Sequence, residues 1–235
     1  MFEVSGLKIN NFETLDHAVG SIINQDGTIN EGFAVAINAE KIISMRKNKN
    51  VREILESATF RYTDGIGVVW ALRKKGAICN RIPGCDLWQA LMRRAGENNT
   101  KVFLVGAKPE VLEQASEKLT NEFNVALVGA QHGYFVDEDI LIEKIVASGA
   151  EIVTVAMGSP TQEKFIAKCR AQHPEAFYMG VGGTYDVFVG NVSRAPEWAQ
   201  KYNLEWFYRV LKQPSRVIRQ TVLLEYFALL MLNKL

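Results

Sequence analysis

Six short apolar or β-branched runs recur along the chain: Phe33–Ile37, Phe60–Thr63, Val102–Val105, Val125–Val128, Ile152–Met157 and Phe177–Val181. Helix-period segments fill most of the intervals, among them Glu110–Phe123 behind Pro109, Asp139–Ala147 and Thr161–Ala171. Strands that are apolar throughout need cover on both faces, and a helix between successive strands carries the chain back to pair in parallel. The pattern predicts an α/β fold, a Rossmann-like and mostly parallel sheet with helices on both faces. With 235 residues and 48% hydrophobic content, one large core, residues 1–193, plus a helical C-terminal appendage, residues 194–235, fits better than two equal domains.

The residues just past each run carry the chemistry. The six runs give way to Asn38, Asp64-Gly65, Gly106–Pro109, Gly129–Tyr134, Gly158–Gln162 and Gly182–Asp186. In an open parallel sheet these carboxyl ends share one edge, where ligands bind at the point of reversed strand order. Turn geometry accounts for the glycines and prolines. It does not account for Asn38, Asp64, Gln162 and Asp186, so the edge is expected to form a polar-ligand cleft. Asp64 stands at a strand-to-helix junction, where it either caps the helix or serves as a general base facing the cleft.

Other motifs narrow the chemistry. Val105–Glu110 reads as strand, tight turn and helix amino terminus, a setting that favours phosphate. Neither GxxxxGK[ST] nor GxGxxG occurs; Gly180 and Gly182 begin the latter, but Tyr185 stands where its third glycine belongs, which disfavours a dinucleotide dehydrogenase. Asp137 and Asp139 have the spacing of a metal-holding D-x-D, yet they open the apolar-periodic Ile140–Val146 and fit a helix N-cap and first turn. His17, His132 and His173 are scattered, so no metal site and no cofactor are expected. Asp86, after Pro83-Gly84, is expected to cap the next helix or to meet a ligand, and Arg81 to bind an anion or to be solvated. Cys79, Cys85 and Cys169 form no CxxC pair and read as inert thiols in a reducing compartment.

The tail differs from the rest. Between Arg194 and Leu235 seven Lys or Arg face three acids, although the whole chain carries only +1. Trp206–Arg219 sets four cations among three aromatics with no acid, a composition suited to an anionic, partly apolar surface or a lipid-linked phosphate. Arg209 and Lys212 share a helix face, as do Arg216 and Arg219, with Pro214 between the pairs. Val217, Ile218, Val222, Leu223, Tyr226, Phe227 and Leu230 form an apolar stripe that either docks on the core or lies at a bilayer. Its burial against a neighbouring copy, giving a homo-oligomer, is also open. A near-neutral chain is not a wholesale nucleic-acid binder. The first residues lack a secretory pattern, and the longest apolar run, Tyr226–Leu232, is far short of the roughly 20 residues of a spanning helix.

Segments Val35–Lys41, Thr63–Val68, Arg81–Trp88, Val105–Glu110, Val155–Glu163, Gly180–Phe188 and Arg194–Arg219, in this order and spacing, resemble the WecG/TagA/CpsF family of bacterial glycosyltransferases over nearly the whole chain. The resemblance implies inverting sugar transfer from a UDP-sugar, N-acetyl-D-mannosaminuronate in its nearest form, to undecaprenyl-diphosphate-linked N-acetylglucosamine at the anionic inner face of the bacterial inner membrane. It implies Asp64 as general base and Arg209, Arg216 and Arg219 near diphosphate. Tyr134 and Asp186 would lie near uracil, and Asn38 and Gln162 near the reacting sugars, with Arg81, Gly106 and Gly183 completing the substrate-binding set. Some members carry Thr-x-Asn where this chain has Ala36–Asn38, so a hydroxyl contact there is lost. UDP-N-acetylmannosamine is the alternative donor, and a non-catalytic nucleotide-binding membrane adapter the rival function. A core cut after Ala195 is expected to fold but to lose transferase activity.

Overall fold

The computed structural model describes residues 2–202, 205, 208 and 220–235. A hairpin of β1 (Phe2–Val4) and β2 (Leu7–Ile9) and a capped helix α1 (Leu15–Gly20) lead into the main sheet. There follow β3 (Gly32–Ile37), α2 (Ala39–Lys47), α3 (Lys49–Ser57), β4 (Phe60–Thr63), α4 (Ile66–Lys74) and α5 (Gly84–Glu97). The second half runs β5 (Lys101–Gly106), α6 (Pro109–Phe123), β6 (Ala126–Gln131), α7 (Glu138–Ser148), β7 (Ile152–Ala156), α8 (Thr161–Gln172), β8 (Phe177–Gly180) and α9 (Thr184–Val189). Two described tail helices close the chain, α10 (Glu197–Lys201) and α11 (Gln220–Met231).

The six strands β3–β8 form one sheet in the order β4-β3-β8-β7-β5-β6, every pairing parallel. This is the predicted α/β architecture. Side chains alternate across it as the period of two demands. Phe33, Val35, Ile37, Phe103, Val105, Val153 and Val155 pack on one face beneath α2, α4, α7 and α8. Ala34, Phe60, Val102, Leu104, Ile152 and Met179 pack on the other beneath α1, α5, α6 and α9. From adjacent β3 and β8 the chain therefore leaves toward opposite faces, through α2 and α9, which opens a crevice at their carboxyl ends.

Gly129 departs from expectation: it lies inside β6 rather than in the loop after it. A Cβ there would come within 2.3 Å of the Phe103 ring, next to a register irregularity at Val102/Phe103, so the glycine admits a ring rather than making a turn. Asp137 caps α7, accepting from the N–H groups of Asp139 and Ile140 at 3.0 Å each.

The described end of the apolar stripe docks on the protein itself. Val222, Leu223, Phe227 and Leu230 pack against the core cluster, and Tyr226 is fully buried, its hydroxyl donating to the Gly67 carbonyl at 3.1 Å. Gly67 leaves room for that ring, since a Cβ would sit 3.1 Å from it. A core cut after Ala195 would leave this face uncovered. No helix among the described residues is long and apolar enough to cross a membrane. Tyr226→Ala is expected to cost about 3–5 kcal/mol of stability, as other large-to-small core truncations do; a denaturant titration of the full chain reads it directly.

Candidate functional site

The rim is built where the parallel strands stop. At the end of β4, the Asp64 and Gly65 N–H groups both donate to the Ile37 carbonyl at the end of β3, at 3.1 and 3.2 Å. A Cβ on Gly65 would fall 2.9 Å from the Asn38 Cα, so only glycine lets this junction close against its neighbour. Gly65, with no side-chain bond, is the N-cap of α4. The half-buried Asp64 therefore does not cap its own helix. Its Oδ1 instead accepts the N–H of Gly84, the first residue of α5, at 3.1 Å, and Arg81 Nε donates to its carbonyl at 2.7 Å. One carboxylate oxygen is thus held by an otherwise orphan helix amide. Asn38 caps α2 by accepting the Lys41 N–H at 2.9 Å. Beneath them Tyr62 is buried; burial first, then the negative charge of Asp64, Cys85 and Glu163, push its phenol well above the usual range, so it stays neutral.

At the centre of the rim, Gln162 is buried and its Oε1 accepts from Gly158 N–H at 3.1 Å and Gly182 N–H at 3.0 Å, tying the loops after β7 and β8 together. Gly180 makes space for it, since a Cβ there would lie 2.4 Å from Gln162 Nε2. That amide nitrogen stands 3.5 Å from Glu163 Oε1, which also receives Lys41 Nζ at 3.1 Å. No sequence motif points to the Lys41–Glu163 pair as such. Its two residues end the segments Val35–Lys41 and Val155–Glu163, but they lie 122 positions apart and only the strand order joins them.

Toward the other end of the rim, Gly106 has φ +105° and its missing Cβ would meet the Ala156 carbonyl oxygen at 2.4 Å. Ala107 follows at φ 59° and is bonded on both sides, its N–H to Ala156 O and its carbonyl to Gly133 N–H, each at 2.9 Å. Tyr134 is exposed in the loop after β6, its N–H donating to His132 Nδ1 at 3.2 Å. A groove of about 420 Å³ lined by residues including Pro109, Gln131 and His132 lies at this outer edge, away from Asp64 and Asn38. Gly183 is the N-cap of α9, and Asp186 sits in the first turn of that helix.

Asp86, expected as a helix cap or a ligand, does not cap the helix. Helix α5 begins at Gly84 with Pro83 as N-cap, and both Asp86 oxygens are taken by Arg194. The Arg194 Nε also reaches Glu205 at 3.2 Å, and Glu205 pairs in turn with Arg81. The bonded Asp86 carboxylate, joined by Glu205, raises the Arg194 pKa above its ordinary value. Arg81, mostly enclosed, thus bridges the Asp64 backbone to a tail carboxylate. Arg209, Arg216 and Arg219 lie outside the described residues. No disulfide joins the three cysteines, and burial pushes the Cys169 thiol up to about 12, which keeps it protonated and inert.

Removing the shared acid with Glu205→Ala takes the carboxylate partner from Arg81 and leaves Arg194 with Asp86 alone. The expected loss is roughly 2–4 kcal/mol, below the fully buried case because both arginines keep some solvent contact; Glu205→Gln should lose less. Denaturant midpoints of the two variants against the parent chain check the order.

The sequence model of the glycosyl transferase WecG/TagA/CpsF family matches residues 2–235, the described fold and rim together.

Proposed function

Because the chain belongs to the WecG/TagA/CpsF glycosyltransferase family, and so moves a glycosyl group from a donor to an acceptor, we propose that it is an inverting transferase taking N-acetyl-D-mannosaminuronate from its UDP donor to undecaprenyl-diphosphate-linked N-acetylglucosamine, as in enterobacterial common antigen assembly. The observation that carries the reading is the Asp64 carboxylate at the carboxyl-end rim, fixed by the Gly84 amide at a junction whose Gly65 closes against Asn38.

The chemistry rests on that placement. As the acceptor hydroxyl oxygen bonds to C1 of the donor sugar, its proton passes to Asp64. The bond from C1 to the UDP oxygen breaks, and its electron pair leaves with UDP. One displacement at C1 inverts its configuration. A base held by a fixed amide needs no reorganisation at the moment of transfer. Negative charge grows on the departing diphosphate, and Arg209, Arg216 and Arg219 are the proposed groups that meet it, delivered where the tail engages the membrane-bound acceptor. Tyr134, Gly106, Gly183 and Asp186 are proposed for the nucleotide, and Asn38 for the reacting sugars. Gln162 serves the same region by holding the Gly158 and Gly182 loops. Arg61 does not suit a uronate carboxylate, since its guanidinium is spent on the carbonyls of Lys8, Leu55, Glu56 and Ala58.

Asp64→Asn keeps an Oδ1 acceptor for the Gly84 amide and removes the base. Turnover with UDP-N-acetylmannosaminuronate and a short-chain lipid-linked N-acetylglucosamine is expected to fall about 10²-fold or more, while stabilisation by UDP persists. Full turnover in this variant would remove Asp64 as the base, whereas UDP binding with no turnover in the parent chain would favour a non-catalytic nucleotide-binding adapter.

A further inference from the structure

Two acids are buried among the described residues, Glu205 and Glu163. Glu205 is enclosed by two guanidinium groups. Glu163 is compensated on one side only. It is 2% exposed; Oε1 takes Lys41 Nζ and lies beside Gln162 Nε2, while Oε2 is shut from solvent with no hydrogen-bond partner. A buried carboxylate oxygen without a donor is costly, and proteins retain such groups where a ligand or a water supplies the missing bond.

Its place along the rim says which ligand. The order β4-β3-β8-β7-β5-β6 puts Asp64 at one end and the Gly106 and Tyr134 loops at the other. Glu163 follows β7 and Lys41 follows β3, so their ion pair straddles the end of β8 between the two. The flanking loops are lined by Gly158, Gly182 and Gly183, where an added Cβ would meet nothing within 4 Å, so they border open space. On the function proposed above, on which this step rests, UDP occupies one end and the base the other. The group that spans the middle is the donor's hexosyl ring.

We propose that Glu163 is the donor-sugar ligand of this site, its Oε2 accepting a hydrogen bond from an O–H or N–H of the hexosyl group. Lys41 and Gln162 orient the carboxylate from its other oxygen. An ionised carboxylate only accepts, so this subsite selects a sugar that presents a donor at that position.

The test compares UDP with UDP-N-acetylmannosamine and its uronate on the full chain, by calorimetry and thermal shift, in the parent and in Glu163→Gln. The parent is expected to bind a UDP-sugar more tightly than UDP. Glu163→Gln should keep its UDP affinity and lose the sugar increment, on the order of 10-fold, as one charge-assisted bond supports. Glu163→Asp, which keeps the charge facing Lys41 but withdraws the oxygens, should lose it too and decides the matter if the glutamine variant does not fold. A sugar increment that survives in the folded variants overturns the proposal, as does an equal loss of UDP and UDP-sugar binding, the mark of a purely structural ion pair. A parent that binds UDP without any sugar increment also overturns it. A parent that binds no UDP brings down the nucleotide reading itself and this subsite with it.

Discussion

Parallel pairing of all six strands is the constraint that shapes the rest of the molecule. Neighbouring parallel strands cannot be joined by a hairpin, so each must be linked by a crossover, and these crossovers are what cover the two apolar faces. The same pairing sends every strand's carboxyl end to one edge. There the ladder stops and helices begin, leaving backbone amides without intrahelical partners. The rim side chains are organised by those amides: Asp64 receives the first N–H of α5, Asn38 the N–H of Lys41, and Gln162 the two loop N–H groups of Gly158 and Gly182. A polar cleft is thus a by-product of the topology before any substrate is considered.

This explains which features are legible in the chain. All six runs begin within one residue of where their strands do, since a run of Val, Ile and Phe bounded by Gly or Asp can be satisfied in few other ways. Val125–Val128 ends short of its strand because Gly129 looks like a turn residue in sequence; its purpose, room for the Phe103 ring across the ladder, is a contact between segments that no local pattern records. The β1–β2 hairpin has three-residue strands, too short for alternation to register. The rim positions Asn38, Asp64, Gln162 and Asp186 stand out as polar residues at run ends. The ion pairs around them do not, because Lys41–Glu163 and Asp86–Arg194 are separated by 122 and 108 residues and meet only once the strands are ordered.

The tail illustrates a different limit. Its excess of cations points to an anionic partner, yet its best-defined contribution among the described residues is an acid. Glu205 lies between Arg81 and Arg194, and Arg194 is also clamped by Asp86 at the start of α5. Likewise an amphipathic stripe looks the same in sequence whether it meets lipid or protein, and α11 spends its buried face on the core through Tyr226. Periodicity reports that a face is apolar; it does not name what covers it.

These contacts join the tail to Asp64 through the backbone. Glu205 holds one side of the Arg81 guanidinium while the other side holds the Asp64 carbonyl. The Arg81 guanidinium is planar and presents its donors in a fixed fork, so one group meets both oxygens at once. The Asp64 side chain is meanwhile tied to α5, whose first turn is pinned to Arg194 at the beginning of the tail. Two of the attachments of Asp64 therefore lead to tail residues, while its N–H rests on the Ile37 carbonyl of β3. Asp64 is thus fixed at the rim partly by the core sheet and partly through residues of the tail.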